Sequence, residues 1–161
     1  MLSSTEITTQ EGDVIRLSVS TINSDIFPDD VQLSLCGVEV LEIVLKREKG
    51  SNILSLFSLM QIAEILGGIM SDNDNVILYF YCDDMHDMKR RDTNILPQQF
   101  RSLLFSRMYY RYIQSNGITD IINVPVILKS DHDVYIHLIT KERHIQTANA
   151  LKTFLSDLSI K

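Results

Sequence analysis

The segment Val76–Cys82 constrains the fold more than any other part of the sequence. Its seven residues, VILYFYC, are apolar on both faces of a strand rather than at alternate positions. A strand of this kind is typical of the centre of a sheet, where neighbouring layers cover both of its faces. We therefore predict a sheet built around this segment, with helices packed on it.

The periodicity of the remaining sequence predicts the other strands and the helices. Strands are predicted at Glu6–Thr9, Val14–Ser20, Val31–Cys36, Val38–Lys46, Ile121–Lys129 and Val134–Lys141. Helices are predicted over residues 53–70, from Pro97 to about Gln114, and at His144–Leu158. Gly12 falls in the turn of the first hairpin, Pro97 suits the first turn of a helix, and Pro125 indicates an edge strand or a bulge.

The resulting order of elements is β-β-β-β-α-β-α-β-β-α, which predicts the α+β class. We expect a mixed or mainly antiparallel sheet of about six or seven strands with three helices. A chain of 161 residues can bury most of its apolar surface in one core, so residues 1–161 are expected to form a single domain.

The helix predicted over residues 53–70 is apolar on nearly all sides. One face carries Ile53, Leu56, Phe57 and Met60, and the opposite face carries Leu59, Ile62, Leu66 and Ile69. Such a helix must be covered on more than one side. It is predicted either to be packed between two layers of the interior or to use its second face as a homodimer interface. Gly67 and Gly68 are predicted to end or break it.

The net charge of −6 argues against a protein whose whole surface binds nucleic acid. The acidic residues are concentrated at the amino terminus, where residues 1–30 contain six acids and a single base, Arg16. This acidic section is interpreted as a solvated surface. The alternative is an intramolecular or intersubunit electrostatic match to the basic helix described below.

Two features indicate the compartment. Cys36 and Cys82 fall in apolar strand patterns without CxxC spacing, which predicts two reduced core thiols. The start of the chain lacks the basic and apolar regions of a signal peptide, and Glu64 interrupts the apolar segment 52–70, which argues against membrane insertion. We expect a soluble, cytoplasmic protein with no membrane contact.

Positive charge is concentrated between Lys89 and Tyr112, on a loop and the following helix. The basic residues are Lys89, Arg90, Arg91, Arg101, Arg107 and Arg111, against the single acid Asp92. Arg107 and Arg111 lie one helical turn apart without an acidic partner in the helix, and Tyr110 projects away from Arg101. Exposed tyrosine beside arginine is typical of protein interfaces and also of platforms for single-stranded nucleic acid.

Arg101 lies in the middle of the apolar stripe of the same helix. A lone guanidinium on a core face is costly unless it is paired. We predict an ion pair with Asp83 or Asp84 at the end of the preceding strand, either to fix the helix on the sheet or to position Arg101 for a phosphate or carboxylate.

The segment DDMHD, residues 83–87, is the one constellation that suggests catalysis. Asp83, Asp84, His86 and Asp87 could bind Mg²⁺ or Mn²⁺, although their spacing fits no defined metal motif. His137 alternates with Tyr135 and Ile139 on one strand face, which favours a hydrogen-bonded or exposed sheet residue over a catalytic base. No nucleophile, phosphate-binding or dinucleotide motif is present in the sequence, and no cofactor is predicted.

The strand ending in Cys82-Asp83-Asp84, a further acid at Asp87, and the helix with Arg101, Phe105 and Tyr112 resemble a family of small bacterial domains of unknown function. The residue match is confined to 76–112, while the order of elements agrees over most of the chain. The resemblance implies a fold and a bacterial origin but no activity.

The sequence therefore predicts a non-catalytic interaction module, that is, a subunit, adaptor or inhibitor that binds a partner protein. Its contact surface is predicted at Lys89, Arg90, Arg91, Arg107, Tyr110 and Arg111. The alternatives are a nucleic-acid-binding module that uses the basic residues of 89–112, and a metal-dependent phosphoryl-transfer enzyme that uses Asp83, Asp84 and His86.

Overall fold

The computed structural model describes residues 2–82 and 94–159. In this part the chain forms six strands, four α-helices and two short 3₁₀ turns. The strands are β1 (Ser3–Thr8), β2 (Val14–Thr21), β3 (Glu39–Lys49), β4 (Val76–Cys82), β5 (Ile121–Leu128) and β6 (Val134–Lys141). The helices are α1 (Asp29–Leu35), α2 (Leu56–Asp72), α3 (Pro97–Asn116) and α4 (Ile145–Ser159), and the 3₁₀ turns are Ser24–Ile26 and Glu142–His144.

The six strands form one sheet in the order β1-β2-β3-β4-β6-β5. β3 and β4 are parallel, and every other neighbouring pair is antiparallel. The α+β class with a mixed sheet is therefore confirmed. β4 lies between β3 and β6, with buried side chains on both faces, as its continuous apolar sequence predicts. β5 is an edge strand, as Pro125 indicates.

The connections of the sheet explain why α2 and α3 share a layer. α2 joins the parallel strands β3 and β4, and α3 joins β4 to β5, which is parallel to β4 because both strands are antiparallel to β6. Both crossovers advance in the same direction across the sheet. Crossovers of the common right-handed kind therefore place both helices on the same face.

The sheet separates two apolar cores, one on each face. On the first face, Ile43, Leu78 and Phe80 pack against α2 and α3. On the second face, Ile77 and Leu138 pack against α1 and α4. The described residues thus form three layers, with two helices on each side of the sheet.

The prediction of a strand at Val31–Cys36 is wrong, because this segment forms α1. Apolar residues at 31, 33 and 35 alternate like a strand, but Val31 and Leu35 also lie one helical turn apart, and these two are buried. Pro28 and the two aspartates that follow it favour a helix start, since acids in the first turn stabilise the helix dipole. The observed order is therefore β-β-α-β-α-β-α-β-β-α, with four helices rather than three.

The end of α1 also changes the environment of Cys36. This residue adopts a left-handed conformation (φ 38°), and Gly37 follows with φ 85°, so the chain turns sharply into β3. Cys36 is exposed, and the prediction of a core thiol is wrong at this position. Cys82 is buried, as predicted, and the two cysteines form no disulfide bond.

In the described part of the chain, α2 is covered on the face that meets the sheet but not on the opposite face, so the prediction that it packs between two layers is wrong. Leu59, Ile62 and Leu66 face the sheet, whereas Leu56 and Phe57 on the opposite face are exposed. Ser55 caps the helix by accepting a hydrogen bond from the Ser58 amide at 3.2 Å. The helix continues through Gly67-Gly68 to Asp72, and the predicted break does not occur.

None of the helices within residues 2–82 and 94–159 has the length and apolar content needed to cross a bilayer.

A buried carboxylate fixes the connection between the first hairpin and α2. The Asp13 side chain accepts hydrogen bonds from Arg47, from the Asn52 amide at 2.9 Å and from the Asn52 side chain at 2.8 Å. Gly50 has φ 91° and lies against this carboxylate, where a side chain would collide with it. Burial acts to raise the pKa of Asp13, but the hydrogen bonds from Asn52 and the charge of Arg47 outweigh it and hold the pKa below its usual value.

We expect Asp13→Asn to lower the free energy of unfolding at neutral pH. In acid, the difference between variant and wild type should disappear. Because the pKa of Asp13 is lower in the folded state, its carboxylate stabilises the fold above the usual aspartate pKa, and the contribution disappears as the pH falls through the folded value. Urea denaturation of wild type and variant from neutral pH down to about pH 3 tests this. Asp131→Asn, in an exposed turn, is the control. A stability difference that does not shrink with pH would contradict the assignment.

We expect opposite effects of alanine at the adjacent glycines of α2. A methyl group at Gly67 would overlap the Tyr112 ring of α3, and overpacking of this kind costs about 1–3 kcal/mol. A methyl group at Gly68 meets no other atom, so Gly68→Ala should stabilise the helix by about 0.5–1 kcal/mol. Denaturant midpoints measure both effects. Equal effects at the two positions would show that Tyr112 does not pack on Gly67.

Candidate functional site

α3 carries three of the six predicted contact residues, Arg107, Tyr110 and Arg111, and packs on the sheet through its other side. Pro97 occupies its first turn, and Gly117, with φ 60°, ends it. Phe105 stacks on Phe80 of β4 with ring centroids 4.3 Å apart. Met108 is buried in the same core. The orientation of the helix is thereby fixed, and its opposite side faces outward.

The outward side presents two cations beside two large apolar side chains. We call Leu103, Arg107, Tyr110 and Arg111 the outer α3 surface; they follow the i, i+4, i+7, i+8 spacing of one helix side. Tyr110 is 60% exposed and Leu103 is 47% exposed. Both arginines are exposed.

The charges of this surface are not neutralised within the described part of the chain. Neither Arg107 nor Arg111 forms an ion pair there. Like charges one helical turn apart repel by a few tenths of a kcal/mol. A binding partner that supplies negative charge would relieve this repulsion.

The ring of Tyr110 packs against its neighbour Tyr109. Tyr109 packs edge-on against it, with ring centroids 5.5 Å apart, and the Tyr109 hydroxyl donates a 2.7 Å hydrogen bond to the Ile121 carbonyl. Burial, with a smaller contribution from Tyr110, raises the pKa of Tyr109. Tyr109 thus stays a neutral donor, and Tyr110 rests on a fixed neighbour. A ring held in this way loses little conformational entropy when it is covered.

Of the remaining predicted site residues, only Arg101 lies in the described part of the chain. Lys89, Arg90 and Arg91 lie outside the described residues, and so do Asp83, Asp84, His86 and Asp87. Arg101 is half-buried beside the core face of α3. Its pairing with Asp83 or Asp84, and the metal site, therefore stay predictions. Within residues 2–82 and 94–159, no group of three His, Cys, Asp or Glu side chains is placed to hold a metal ion.

A polar cluster beneath α3 was not predicted from the sequence. His137 of β6 is 2% exposed, its Nε2 lies 2.8 Å from Ser102 Oγ, and its Nδ1 lies 3.1 Å from Asn123 Oδ1. Burial lowers the pKa of His137 to about 4, so the ring is neutral at neutral pH. In this state Nδ1–H donates to Asn123, and Nε2 accepts from the Ser102 hydroxyl.

The order serine–histidine–amide resembles a nucleophile, its base and the group that orients the base. The cluster does not open onto the apolar cavity of the same core, however. The apolar cavity of about 40 Å³ between α2, α3 and the sheet is lined by side chains such as Leu66, Met70 and Phe105, and neither Ser102 nor His137 lines it. The cluster therefore serves to satisfy a buried imidazole and to attach α3 to β6.

One signal in the sequence marks His137 as a buried residue. It lies on the strand face of Tyr135 and Ile139, both of which pack in the core beneath α2 and α3. The strand period places the imidazole in this core, but it does not identify Ser102 and Asn123 as its partners. Ser102 belongs to α3 and Asn123 to β5, and only the packing of α3 on the sheet brings both to His137.

We expect acid to destabilise the fold through His137. Because its pKa falls from 6.5 to about 4 on folding, the unfolded state binds more protons between these values. Stability is therefore complete above the unfolded pKa, and about 3 kcal/mol is lost as the pH falls to about 4. Chemical denaturation between neutral pH and about pH 4 measures this loss. His137→Leu should show a flatter pH dependence, whereas the control His132→Gln, in an exposed turn, should keep the wild-type slope.

A second readout tests the hydrogen-bonded state of the ring. The ¹⁵N chemical shifts of His137 should report the neutral Nδ1–H form well below the ordinary histidine pKa. A titration of His137 near pH 6.5 would contradict the buried arrangement.

Comparisons with family models, curated proteins and solved structures return no match to this chain. The resemblance to a small bacterial domain family stays a prediction from residues 76–112. The outer α3 surface is the candidate functional site that the described residues support best.

Proposed function

We propose that this chain is a non-catalytic interaction module that binds a partner protein through the outer α3 surface. The observation that carries the proposal is the exposure of Tyr110 and Leu103 beside two arginines that have no ion pair in the described part of the chain. The predicted contribution of Lys89, Arg90 and Arg91 belongs to the same proposal. We also propose that this protein is bacterial and cytoplasmic. The lack of a disulfide bond between its two cysteines agrees with a reducing compartment.

The chemistry of the surface favours a protein partner. Arginine and tyrosine are enriched in the centres of protein interfaces, where they supply most of the binding energy. Leu103 adds apolar area that a phosphate backbone would leave uncovered. α2 lies in the same layer and exposes Leu56 and Phe57, which extends the apolar area available and is the basis of a proposed homodimer contact through residues 53–70.

A nucleic-acid partner is the second candidate. Arg107 and Arg111 could contact phosphates while Tyr110 stacks on a base. The net charge of −6 weighs against it, since long-range attraction would be weak. The third hypothesis, metal-dependent phosphoryl transfer, depends on Asp83, Asp84 and His86, and the described residues do not bear on it.

We expect removal of the tyrosine anchor and one arginine to abolish partner binding. Immobilised wild type and Arg107→Ala/Tyr110→Ala would be compared for proteins retained from a bacterial extract, quantified by mass spectrometry. The variant should lose its specific partner by at least about tenfold, since anchor residues of this type contribute about 2 kcal/mol or more. Lys152→Ala, on the opposite layer, is the control and should retain it. Equal retention by wild type and the α3 variant would overturn the proposal.

The nucleic-acid alternative has a distinct signature. Fluorescence anisotropy with short labelled single- and double-stranded nucleic acids should show no specific binding at low salt. Binding that weakens steeply with salt and disappears in Arg107→Glu/Arg111→Glu would replace the protein-binding proposal with the nucleic-acid one.

A further inference from the structure

We propose that the partner which fits the outer α3 surface is a second copy of this chain, docked through the outer side of α1. This inference rests on the proposed function of the α3 surface and names its partner. It is carried by the second, oppositely charged surface of the molecule, which the fold places out of reach of the first.

The outer side of α1 repeats the chemistry of the α3 surface with inverted charge. We call Asp29, Asp30 and Leu33 of α1, together with Asp25 and Ile26 of the preceding 3₁₀ turn, the outer α1 surface. Leu33 is 79% exposed, and Ile26 is 65% exposed. On the helix, Leu33 follows Asp29 and Asp30 by one turn, so the apolar side chain lies between two carboxylates.

These carboxylates have no ion-pair partner in the described residues. Asp25, Asp29 and Asp30 form no ion pair there, just as Arg107 and Arg111 form none. Some surface charges elsewhere in the described residues form ion pairs, such as Arg16 with Glu6 and Lys141 with Asp120, whereas others, such as Asp131 and Lys152, form none. What the outer α1 and outer α3 surfaces share is the combination of unpaired charges of one sign with two exposed apolar side chains.

The fold excludes contact between these two surfaces within one molecule. α3 packs in the core on the first face of the sheet, and α1 packs in the core on the second face. Their outer sides therefore point in opposite directions, with the sheet between them. An electrostatic match between Asp29 and Asp30 of α1 and the basic helix can therefore be made only between subunits.

This placement determines the kind of assembly. A contact between two different surfaces is heterologous, so after the first contact one copy keeps a free acidic surface and the other keeps a free basic surface. Because the two surfaces lie on opposite sides, one two-fold interface cannot contain both. The assembly therefore grows with concentration into rings or chains rather than stopping at a symmetric dimer. Its charged part is screened by salt, with a Debye length of about 8 Å at physiological ionic strength.

Sedimentation velocity over a concentration series, at low and physiological salt, tests the proposal with two reversed-charge variants. Wild type should form species larger than a dimer, and salt should weaken them. Arg107→Glu/Arg111→Glu and Asp29→Lys/Asp30→Lys should each weaken self-association by at least about tenfold, because each places like charges opposite one another.

Mixing the two variants is the decisive step. In an equimolar mixture, the reversed α3 surface of one variant meets the reversed α1 surface of the other, and the two native surfaces meet as well. Association should return to the wild-type level. A matched control, Asp131→Lys/Lys152→Glu, reverses an exposed acid and an exposed base elsewhere and should assemble like wild type. Circular dichroism melting of each variant verifies that these exposed changes leave the fold intact.

The outcomes separate this inference from the proposed function. A wild type that stays monomeric at the highest attainable concentration overturns the inference, and the proposed function survives if extract proteins are still retained through Arg107 and Tyr110. If both charge-reversed variants still form a dimer and Phe57→Ser does not, the self-association contact lies on α2. This result would also overturn the inference. Failure of the mixture to restore association, with both variants folded, would show that the two surfaces do not meet.

Discussion

The burial of β4 on both faces is the constraint on which the rest of this structure depends. A strand without a polar face must have a covered layer on each side. Its parallel pairing with β3 requires a crossover, which α2 provides, and its link to β5 requires a second one, which α3 provides. Since both crossovers occupy one face, α1 and α4 are needed on the other. The two helical layers, and hence the two outer surfaces of the molecule, follow from this one strand.

The buried ionisable side chains Asp13 and His137 both have hydrogen-bond partners. Asp13 is buried, and its carboxylate accepts hydrogen bonds from Arg47 and Asn52. His137 is buried, stays neutral, and contacts both Ser102 and Asn123. Such pairing is needed where water is excluded, because an unpartnered buried group is costly. It stabilises the fold.

The outer surfaces of α1 and α3 behave differently. Their charges form no ion pair in the described residues, and each surface also exposes apolar side chains. Exposed charge of one sign costs little in water, but it repels its own neighbours and attracts an opposite surface. Combined with Leu33 on α1 and Tyr110 on α3, this makes the two surfaces suited to contact rather than to solvation alone. Because the sheet lies between them, the two surfaces cannot meet within one molecule.

The sequence by itself determined the features that depend on local pattern. It placed Val76–Cys82 at the centre of the sheet, the first hairpin turn at Gly12, the start of the helix at Pro97 and Pro125 on an edge, because each follows from periodicity or from the backbone limits of glycine and proline. Tyr110 on the outside of α3 follows from the helical period.

Only the tertiary structure decided the rest. Residues 31–35 fit a strand and a helix equally well by pattern, and burial of Val31 and Leu35 against α4 and the sheet selects the helix. Partners such as Ser102 and Asn123 are distant in sequence, so no local period could link them to His137. The exposure of Phe57 and the placement of α1 and α3 on opposite faces depend on which surfaces meet in the folded chain. Local propensity acts over a few residues, whereas burial is decided by contacts across the whole chain.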